Sequence, residues 1–551
     1  MITKQMLTKI ILDSIDLDED IIIETPKDKS LGDYAMPCFN LSKKLHKNPN
    51  FIAEEIKEKI NNEFFTKIEV KNGYLNFFLK REEITKSVLD EVLTKKDSYG
   101  SLENDKTIVI EYSSPNVAKP FGVGHLRSTV IGNALKNIYE KQGYNVVSIN
   151  YLGDCGTQFG KLIHAYETWG NEEEVKKNPI QELNKLYVRF HEESKNNPSL
   201  DDEGRRIFKL LEDGDEHYYK LWKWFKDESI KEFMKTYDLL NIKDFDLWSG
   251  ESFYIEKAKD SLEILENKNL LEKSEGATII DLGDLPPALV KRTDGATLYI
   301  TRDIAAILDR KNLYNFDEAL YVVGNEQTLH FKQLKEIIKK MGYDFYENIH
   351  HIPFGLVLTN GKKMSTRGGS AISLHNVLEE AVNLAKSYVS NHSLENIDEI
   401  SRQVGVGAVI FNDLKNYRTN DIDFNLEDIL KFEGETGPYL QYTCARINSL
   451  LSHKINTVIN YSDIDINDCI WNIIFKISDF GSILVKAKEE YDPSLLSKYL
   501  LELSGLFNKF YAGYKIVSDK DEQFRLKVSE ATLIVIKEGL RILGIEVPTK
   551  M

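Results

Sequence analysis

The stretch Thr107-Ile-Val-Ile-Glu-Tyr-Ser-Ser-Pro-Asn-Val-Ala-Lys-Pro-Phe-Gly-Val-Gly-His125 decides how the rest of the chain is read. Thr107–Tyr112 is a short β-branched run of the kind that forms a buried parallel strand. Ser113–Gly124 is a loop rich in turn formers. A helix is predicted from about His125, with Leu126, Val130, Leu135 and Ile138 on one face and Gly143 as its stop. Tyr144–Tyr151 then reads as the next strand. Strand, loop, helix and strand in this order make a βαβ unit, which predicts an α/β Rossmann-type parallel-sheet domain with its ligand crevice at the carboxyl ends of the strands.

Working outward, residues 1–100 read as a small N-terminal α+β domain. Ile52, Ile56 and Ile60 have helical spacing, and Ile68–Leu79 reads as a hairpin turning at Asn72-Gly73. The Rossmann domain is assigned to 101–375, with a charged helical insertion at about 161–245. Its further strands are expected at Ala277–Asp281, Leu298–Ile300, Glu318–Val323 and Pro353–Leu358. A connecting helical region, 376–430, leads to an all-α C-terminal domain, 431–551, whose last helix shows its period at Val528, Val535, Ile536, Leu540 and Leu543.

The 551 residues carry 71 Lys and Arg against 87 Asp and Glu, a net charge of −16, which excludes a uniformly basic nucleic-acid coat. The acidity sits in the middle of the chain and both ends are close to neutral, so local basic tracks stay open. The four cysteines, Cys38, Cys155, Cys444 and Cys469, form no CxxC pair, so no zinc site is expected and the chain suits a reducing cytoplasm. No apolar run is long enough for a signal peptide or a membrane span.

Two loops carry the chemistry. In Pro115–His125, Gly122 and Gly124 let the backbone approach a base or phosphate, the helix start offers free N–H groups, and His125 offers a side-chain donor. By itself this is equally a glycine turn capped by a histidine. Gly361-Lys-Lys-Met-Ser-Thr-Arg-Gly-Gly369 follows an apolar strand, and Lys362, Lys363 and Arg367 can neutralise a leaving pyrophosphate. By itself it reads as a solvated basic loop.

Together the two loops resemble the HIGH and KMSKS signatures of the class I aminoacyl-tRNA synthetases. Glu111–Pro120, Leu126-Arg-Ser-Thr129, Leu152–Gly160 and Thr436–Tyr442 are similar to blocks of the arginyl family. The resemblance runs from Gly73-Tyr-Leu-Asn-Phe77 to Met551. It implies an arginine–tRNA ligase that uses ATP, with Mg2+ arriving on the ATP and no resident metal. His125, Lys119, Lys363 and Arg367 would be catalytic. Gly122, Gly124, His125, Lys119, Lys362, Lys363, Met364 and Ser365 would bind ATP. Glu251, Tyr299 and Asp303 would surround the guanidinium of L-arginine, and Ser114, Asn116 and Gln327, with Glu111, its α-groups. Carboxylates suit a planar guanidinium because they accept its fork of N–H donors. Such a pocket rejects lysine and ornithine without a separate editing domain.

tRNA(Arg) would meet Tyr74 and Asn76 on the hairpin, with Phe77 as contact or core, and Tyr439, Tyr442 and Arg446 on the helix after Thr436. Aromatic and guanidinium planes there suit stacking on splayed bases. Arg525, Arg541 and the terminal Met551 are further candidates, and Cys444 reads as packing. The implied protein is a cytoplasmic monomer without membrane contact. Two positions depart from the family pattern: Gly122 stands where the first signature histidine falls, and Thr366 where the second KMSKS lysine falls, with Lys119 similar to the lysine that takes over that contact. The alternatives are a catalytically silent paralogue that only binds tRNA, or a regulatory module, motivated by Gly122, and a class I synthetase for another amino acid, which Glu251 and Asp303 oppose.

Overall fold

The computed structural model describes residues 4–15, 21–60, 64–291, 298–359, 362–363, 373–389, 396–455, 459, 461 and 464–551. These residues form two compact units, one of 1–100, 443–485 and 499–538, the other of 101–442, 486–498 and 539–551.

In the first unit a three-stranded antiparallel sheet has Tyr74–Leu79 at its centre, flanked by Tyr34–Pro37 and Phe65–Lys71. Asn72 and Gly73 turn the expected hairpin with positive φ, 54° and 79°. The C-terminal helices Asp468–Ser478, Ser494–Gly513 and Glu522–Ile542 share the unit's apolar core with the N-terminal elements, through side chains such as Trp471, Phe507 and Phe524. Asp33 joins the ends of the chain: Trp471 Nε1 donates to its Oδ1 at 2.7 Å and the Leu79 N–H to its Oδ2 at 2.9 Å. Tyr99 stacks on Phe480, and Gly100 is required beside that pair, because a Cβ there would lie 2.8 Å from the Phe480 ring. Asp33→Ala leaves two buried donors without an acceptor and is expected to cost this unit about 2–4 kcal/mol, read as an earlier urea transition followed by tryptophan fluorescence.

The second unit is built on a five-stranded, all-parallel sheet. Across it the strands run Ile349–Phe354, Glu318–Gly324, Thr107–Glu111, Asn145–Leu152 and Leu247–Gly250. The chain fills one side from Thr107–Glu111 outward and then returns to the other side at Glu318–Gly324. The carboxyl ends of those two strands therefore flank the switch point, where such sheets bind ligands. The first helix, Gly124–Lys141, packs close against this end: at Gly132 a Cβ would lie 2.3 Å from Tyr112. The predicted insertion is helical, from Thr157–Trp169 to Glu216–Leu239.

Three strand expectations are corrected. Leu298–Ile300 is not a strand, because Tyr299–Tyr314 is a helix that buries Ile300, Ile304 and Ile307 on one face. That helical period outweighs the strand-like look of three apolar residues in a row. Ala277–Leu282 is a strand but lies outside the parallel sheet, in an antiparallel one between Glu272–Ser274 and Leu285–Lys291. The expected strand at 353–358 divides. Ile349–Phe354 ends the parallel sheet, and Val357–Thr359 pairs with Lys362–Lys363 and Ile422–Asp423.

Candidate active site

The loop leaving Thr107–Glu111 is held in an unusual backbone path. Ser113, Ser114 and Ala118 have φ of 71°, 49° and 59°, a region sparsely used by residues with a Cβ. Hydrogen bonds to several elements hold them there. The Ser113 N–H donates to Ser128 Oγ at 2.9 Å, and Ser113 Oγ lies 2.8 Å from Thr129 Oγ1 and 2.7 Å from Tyr237 Oη. Ser128 Oγ in turn donates to the Val322 carbonyl at 2.7 Å, across the switch point. The Ala118 N–H donates to Ser229 Oγ at 3.0 Å, so the helical insertion holds the residue before Lys119. Lys119 Nζ lies 5.6 Å from the centre of the Tyr187 ring, also from the insertion.

The first signature opens the helix as expected. Gly124 is exposed with nothing within 4 Å of a Cβ position, while Gly122 is buried and bridges Ser373 in antiparallel fashion. His125 Nδ1 lies 3.3 Å from the Gly122 carbonyl, which only accepts, so this nitrogen carries the proton. Burial lowers the His125 pKa, and the carbonyl only partly opposes it. Neutral His125 thus presents an unprotonated Nε2.

Of the second signature, Lys362–Lys363 form a strand antiparallel to Val357–Thr359. Met364, Ser365, Thr366 and Arg367 lie outside the described residues. The base of this hairpin is tied to the first signature by Arg127, which sequence reading passed over although it lies two residues beyond His125. Its Nε donates to Asp413 at 3.1 Å, with both side chains 1% exposed, and its Nη1 donates to the Asn420 carbonyl at 2.6 Å. Asp421 Oδ1 then accepts from the Leu356 N–H at 2.7 Å.

Three carboxylates expected around arginine meet near the switch point, and each already has a cationic or ionisable partner in the chain. Glu111 pairs with Arg310 at 2.6 Å, Glu251 with Arg302 at 3.1 Å, and Asp303 with His330 Nε2 at 2.7 Å. Burial raises the Glu111 pKa against the pull of Arg310, with the Asp303 charge adding to the rise. Burial pushes Glu251 up to about 7, opposed by Arg302 and reinforced by Asp303. Tyr299 stands 59% exposed at its helix start, and the Arg302 guanidinium lies 4.9 Å from its ring centre. Ser114 is half-buried, and Asn116 and Gln327 are exposed. Asp154 is a further organiser missed in the sequence. It accepts from the Ser252 N–H at 2.8 Å and Ser252 Oγ at 2.7 Å, and pairs with Lys226 at 2.6 Å, beside Glu251. Arg302 and Asp154 both sit inside motifs that were already singled out. Arg310 and His330 had no local signal.

The expected tRNA contacts are spread over both units. In the first, Tyr74 packs edge-on against Phe39, while Asn76 is only 3% exposed and Phe77 is core, so neither side chain is available at the surface. Asn76 fails as a surface contact because it sits on the central strand of its sheet. Arg446 lies over the Tyr511 ring at 4.7 Å and donates to Asn508 Oδ1 at 2.7 Å. Arg525 pairs with Asp519 at 3.4 Å. Cys444 is fully buried packing, as read. In the second unit Tyr442 is exposed, Tyr439, like the terminal Met551, is half-buried, and Arg541 is exposed. Among the described residues no helix is long and apolar enough to cross a membrane.

Comparison with known proteins agrees over the full length. The family model for the class I (R) tRNA synthetase catalytic domain matches residues 88–426, that for the DALR anticodon binding domain 440–551, and that for the arginyl tRNA synthetase N-terminal domain 2–79. The chain is 49% identical over 99% of its length, and 99% of the relative's, to an arginine–tRNA ligase of an Exiguobacterium species. It is 51% identical to that of Pediococcus pentosaceus, over 96% of this chain and 95% of the relative. The solved Thermus thermophilus arginyl-tRNA synthetase has the same fold, with a TM-score of 0.87 and 24% identity over the whole of both chains. The parallel sheet with its signature loop, the paired carboxylates at its switch point and these matches together make the chain a member of the arginyl-tRNA synthetase family.

Proposed function

We propose that this arginine–tRNA ligase works in the crevice at the carboxyl ends of Thr107–Glu111 and Glu318–Gly324. The carboxylate of L-arginine attacks the α-phosphate of ATP, forming arginyl-adenylate and releasing pyrophosphate. A ribose hydroxyl at the 3′ end of tRNA(Arg) then takes the arginyl group and frees AMP. No side-chain nucleophile is needed, because the protein's task is to position the reactants and neutralise charge.

The single observation that carries the pocket assignment is the gathering of Glu111, Glu251 and Asp303 close enough for the Asp303 charge to raise both glutamates. Asp303 and Glu251, with the Tyr299 ring, would receive the guanidinium. Ser114, Asn116 and Gln327, with Glu111, would hold the α-amino and α-carboxylate groups. Gly122, Gly124 and the helix N-terminus would receive ATP, with His125 Nε2 donating to the α-phosphate as imidazolium. Lys119 would leave the Tyr187 ring for the phosphates, and Lys362, Lys363, Met364, Ser365 and Arg367 would close on the pyrophosphate. Mg2+ would come with ATP, since it keeps much of its water and binds phosphate oxygens in preference to an all-protein cage. Tyr74 and Arg446 in the first unit, and Tyr439, exposed Tyr442 and Met551 in the second, are the tRNA contacts of this reading. Four scattered thiols suit a cytoplasmic setting, and a monomer is the working assembly.

Arginine-dependent ATP–pyrophosphate exchange in the presence of tRNA(Arg) tests the reading against the silent, tRNA-binding alternative. Exchange at the level of the blank with intact tRNA binding would establish the alternative. His125→Asn keeps a donor for the Gly122 carbonyl and loses Nε2. It is expected to slow adenylate formation by ~100-fold while leaving the arginine KM nearly unchanged.

A further inference from the structure

The carboxylates of the pocket are not equivalent in the company they keep. The partners of Glu111 and Glu251 are the guanidiniums of Arg310 and Arg302, charged at every working pH. The partner of Asp303 is His330, whose Nε2 lies 2.7 Å from Oδ2, with each side chain about a quarter exposed. His330 comes from the neighbouring helix, Thr328–Lys340, which starts just beyond the end of Glu318–Gly324. With both glutamates ionised and His330 neutral, these six groups hold one net negative charge, and it belongs to Asp303. With His330 protonated they hold none. A site for a cation therefore exists in one protonation state of this imidazole and is electrostatically filled in the other.

We propose that His330 is a positioning residue for Asp303 and a proton-linked competitor of the substrate guanidinium. As a neutral donor it holds Asp303 through Oδ2 and leaves Oδ1 free for the guanidinium fork. As imidazolium it cancels the charge that the guanidinium needs. The inference rests on Asp303 being a guanidinium acceptor, as proposed above.

Besides His330, charged or titratable groups face Asp303 from several elements among the described residues. Arg302 lies on its own helix, Glu251 on the turn after Leu247–Gly250, Glu111 at the end of Thr107–Glu111, Tyr151 on Asn145–Leu152 and Tyr321 on Glu318–Gly324. Among the side chains that face Asp303, both tyrosines are pushed up by burial, far from neutrality. Burial raises Glu111 against the pull of Arg310, and brings Glu251 to about 7, within the range the test covers. The effect of either on arginine binding has the same sign as that of His330, since protonation removes a carboxylate, so they must be separated by substitution.

The test is calorimetric binding of L-arginine to the full chain between pH 6 and 8. The wild-type dissociation constant is expected to rise about tenfold as pH falls through this range. His330→Gln offers Asp303 a donor that never ionises. It is expected to bind within about twofold of wild type at pH 8 and to rise only about threefold by pH 6, the remainder belonging to the two glutamates. A wild-type pH slope in His330→Gln overturns the proposal. If Asp303→Asn leaves arginine affinity unchanged at pH 8, it is the pocket assignment that fails, not the role of His330. Titration of the imidazole 13Cε1 signals in the wild-type protein needs no variant. Saturating arginine should shift one histidine's titration to lower pH, and a set of curves unmoved by arginine also overturns the proposal.

Discussion

Asp303→Asn is expected to raise the arginine KM about 30- to 150-fold, or about 2–3 kcal/mol, with the ATP KM within about twofold of wild type. The asparagine keeps the size of the side chain and loses its charge. Its amide also turns a pair of N–H donors toward a ligand that has only donors to offer. The estimate stays at the low end for a charge pair because Asp303 is about a quarter exposed and solvent screens it. Glu251 does not replace it, since Arg302 already holds that carboxylate and burial brings it to about 7. Steady-state aminoacylation with each substrate varied in turn measures the split. A parallel rise in both KM values, or none in that for arginine, contradicts the assignment.

The second large effect is on stability. Arg310 is 1% exposed, pairs with Glu111 at 2.6 Å, and donates to Tyr321 Oη at 3.2 Å. Its guanidinium lies 5.4 Å from the ring centre of Tyr151 and 5.6 Å from that of Tyr321. Arg310→Met fills the volume and leaves Glu111 buried without a counter-charge, which is expected to cost about 3–5 kcal/mol. Glu111 already has its pKa raised by burial, and losing Arg310 raises it further. A carboxyl whose folded pKa lies above its unfolded one is best tolerated protonated. The variant's deficit should therefore be small at low pH, grow as pH rises from the folded pKa of Glu111 in wild type to its higher value in the variant, and level off above that. Urea denaturation of the variant at pH 5 and pH 8 checks the direction. Adding Glu111→Gln should restore most of the loss at pH 8, because a neutral buried amide replaces an uncompensated charge.

These effects turn on partners that no local pattern could show. The βαβ reading of Thr107–Tyr151, the hairpin at Asn72-Gly73 and the helical insertion were legible because each depends on side-chain period or turn chemistry within a few residues. Where local signals conflicted, the sequence misled: Leu298–Ile300 read as a short strand, yet the wider spacing of Ile300, Ile304 and Ile307 makes it the start of a helix. That turn is what places Tyr299, Arg302 and Asp303 on one pocket wall. The strand at Ala277–Leu282 was recognisable as a strand, but its pairing partners were not, since hydrogen-bond register is settled between strands and not within one.

The candidate site divides the same way. The carboxylates Glu111, Glu251 and Asp303, and the donors His125 and Lys119, stand in motifs that a reader of the chain can point to. The acidic residues were legible as chemistry because a guanidinium demands them. Their pairing was not. Arg310 is distant in sequence from Glu111 and His330 from Asp303, and neither has a motif of its own. The parallel pairing of Glu318–Gly324 with Thr107–Glu111 brings the helix carrying Arg310 to Glu111, and the contact of Tyr299–Tyr314 with Thr328–Lys340 brings His330 to Asp303.

By itself the sequence determined the βαβ unit, the hairpin and most element types, which follow from local period and turn chemistry, and its signature loops carried the resemblance to the family. The tertiary structure alone decided which strands share a sheet, that Asp33 holds Trp471, and which carboxylate is left with charge to offer a cationic substrate. Coulomb interaction and burial depend on distance through space, and distance along the chain carries almost no information about either.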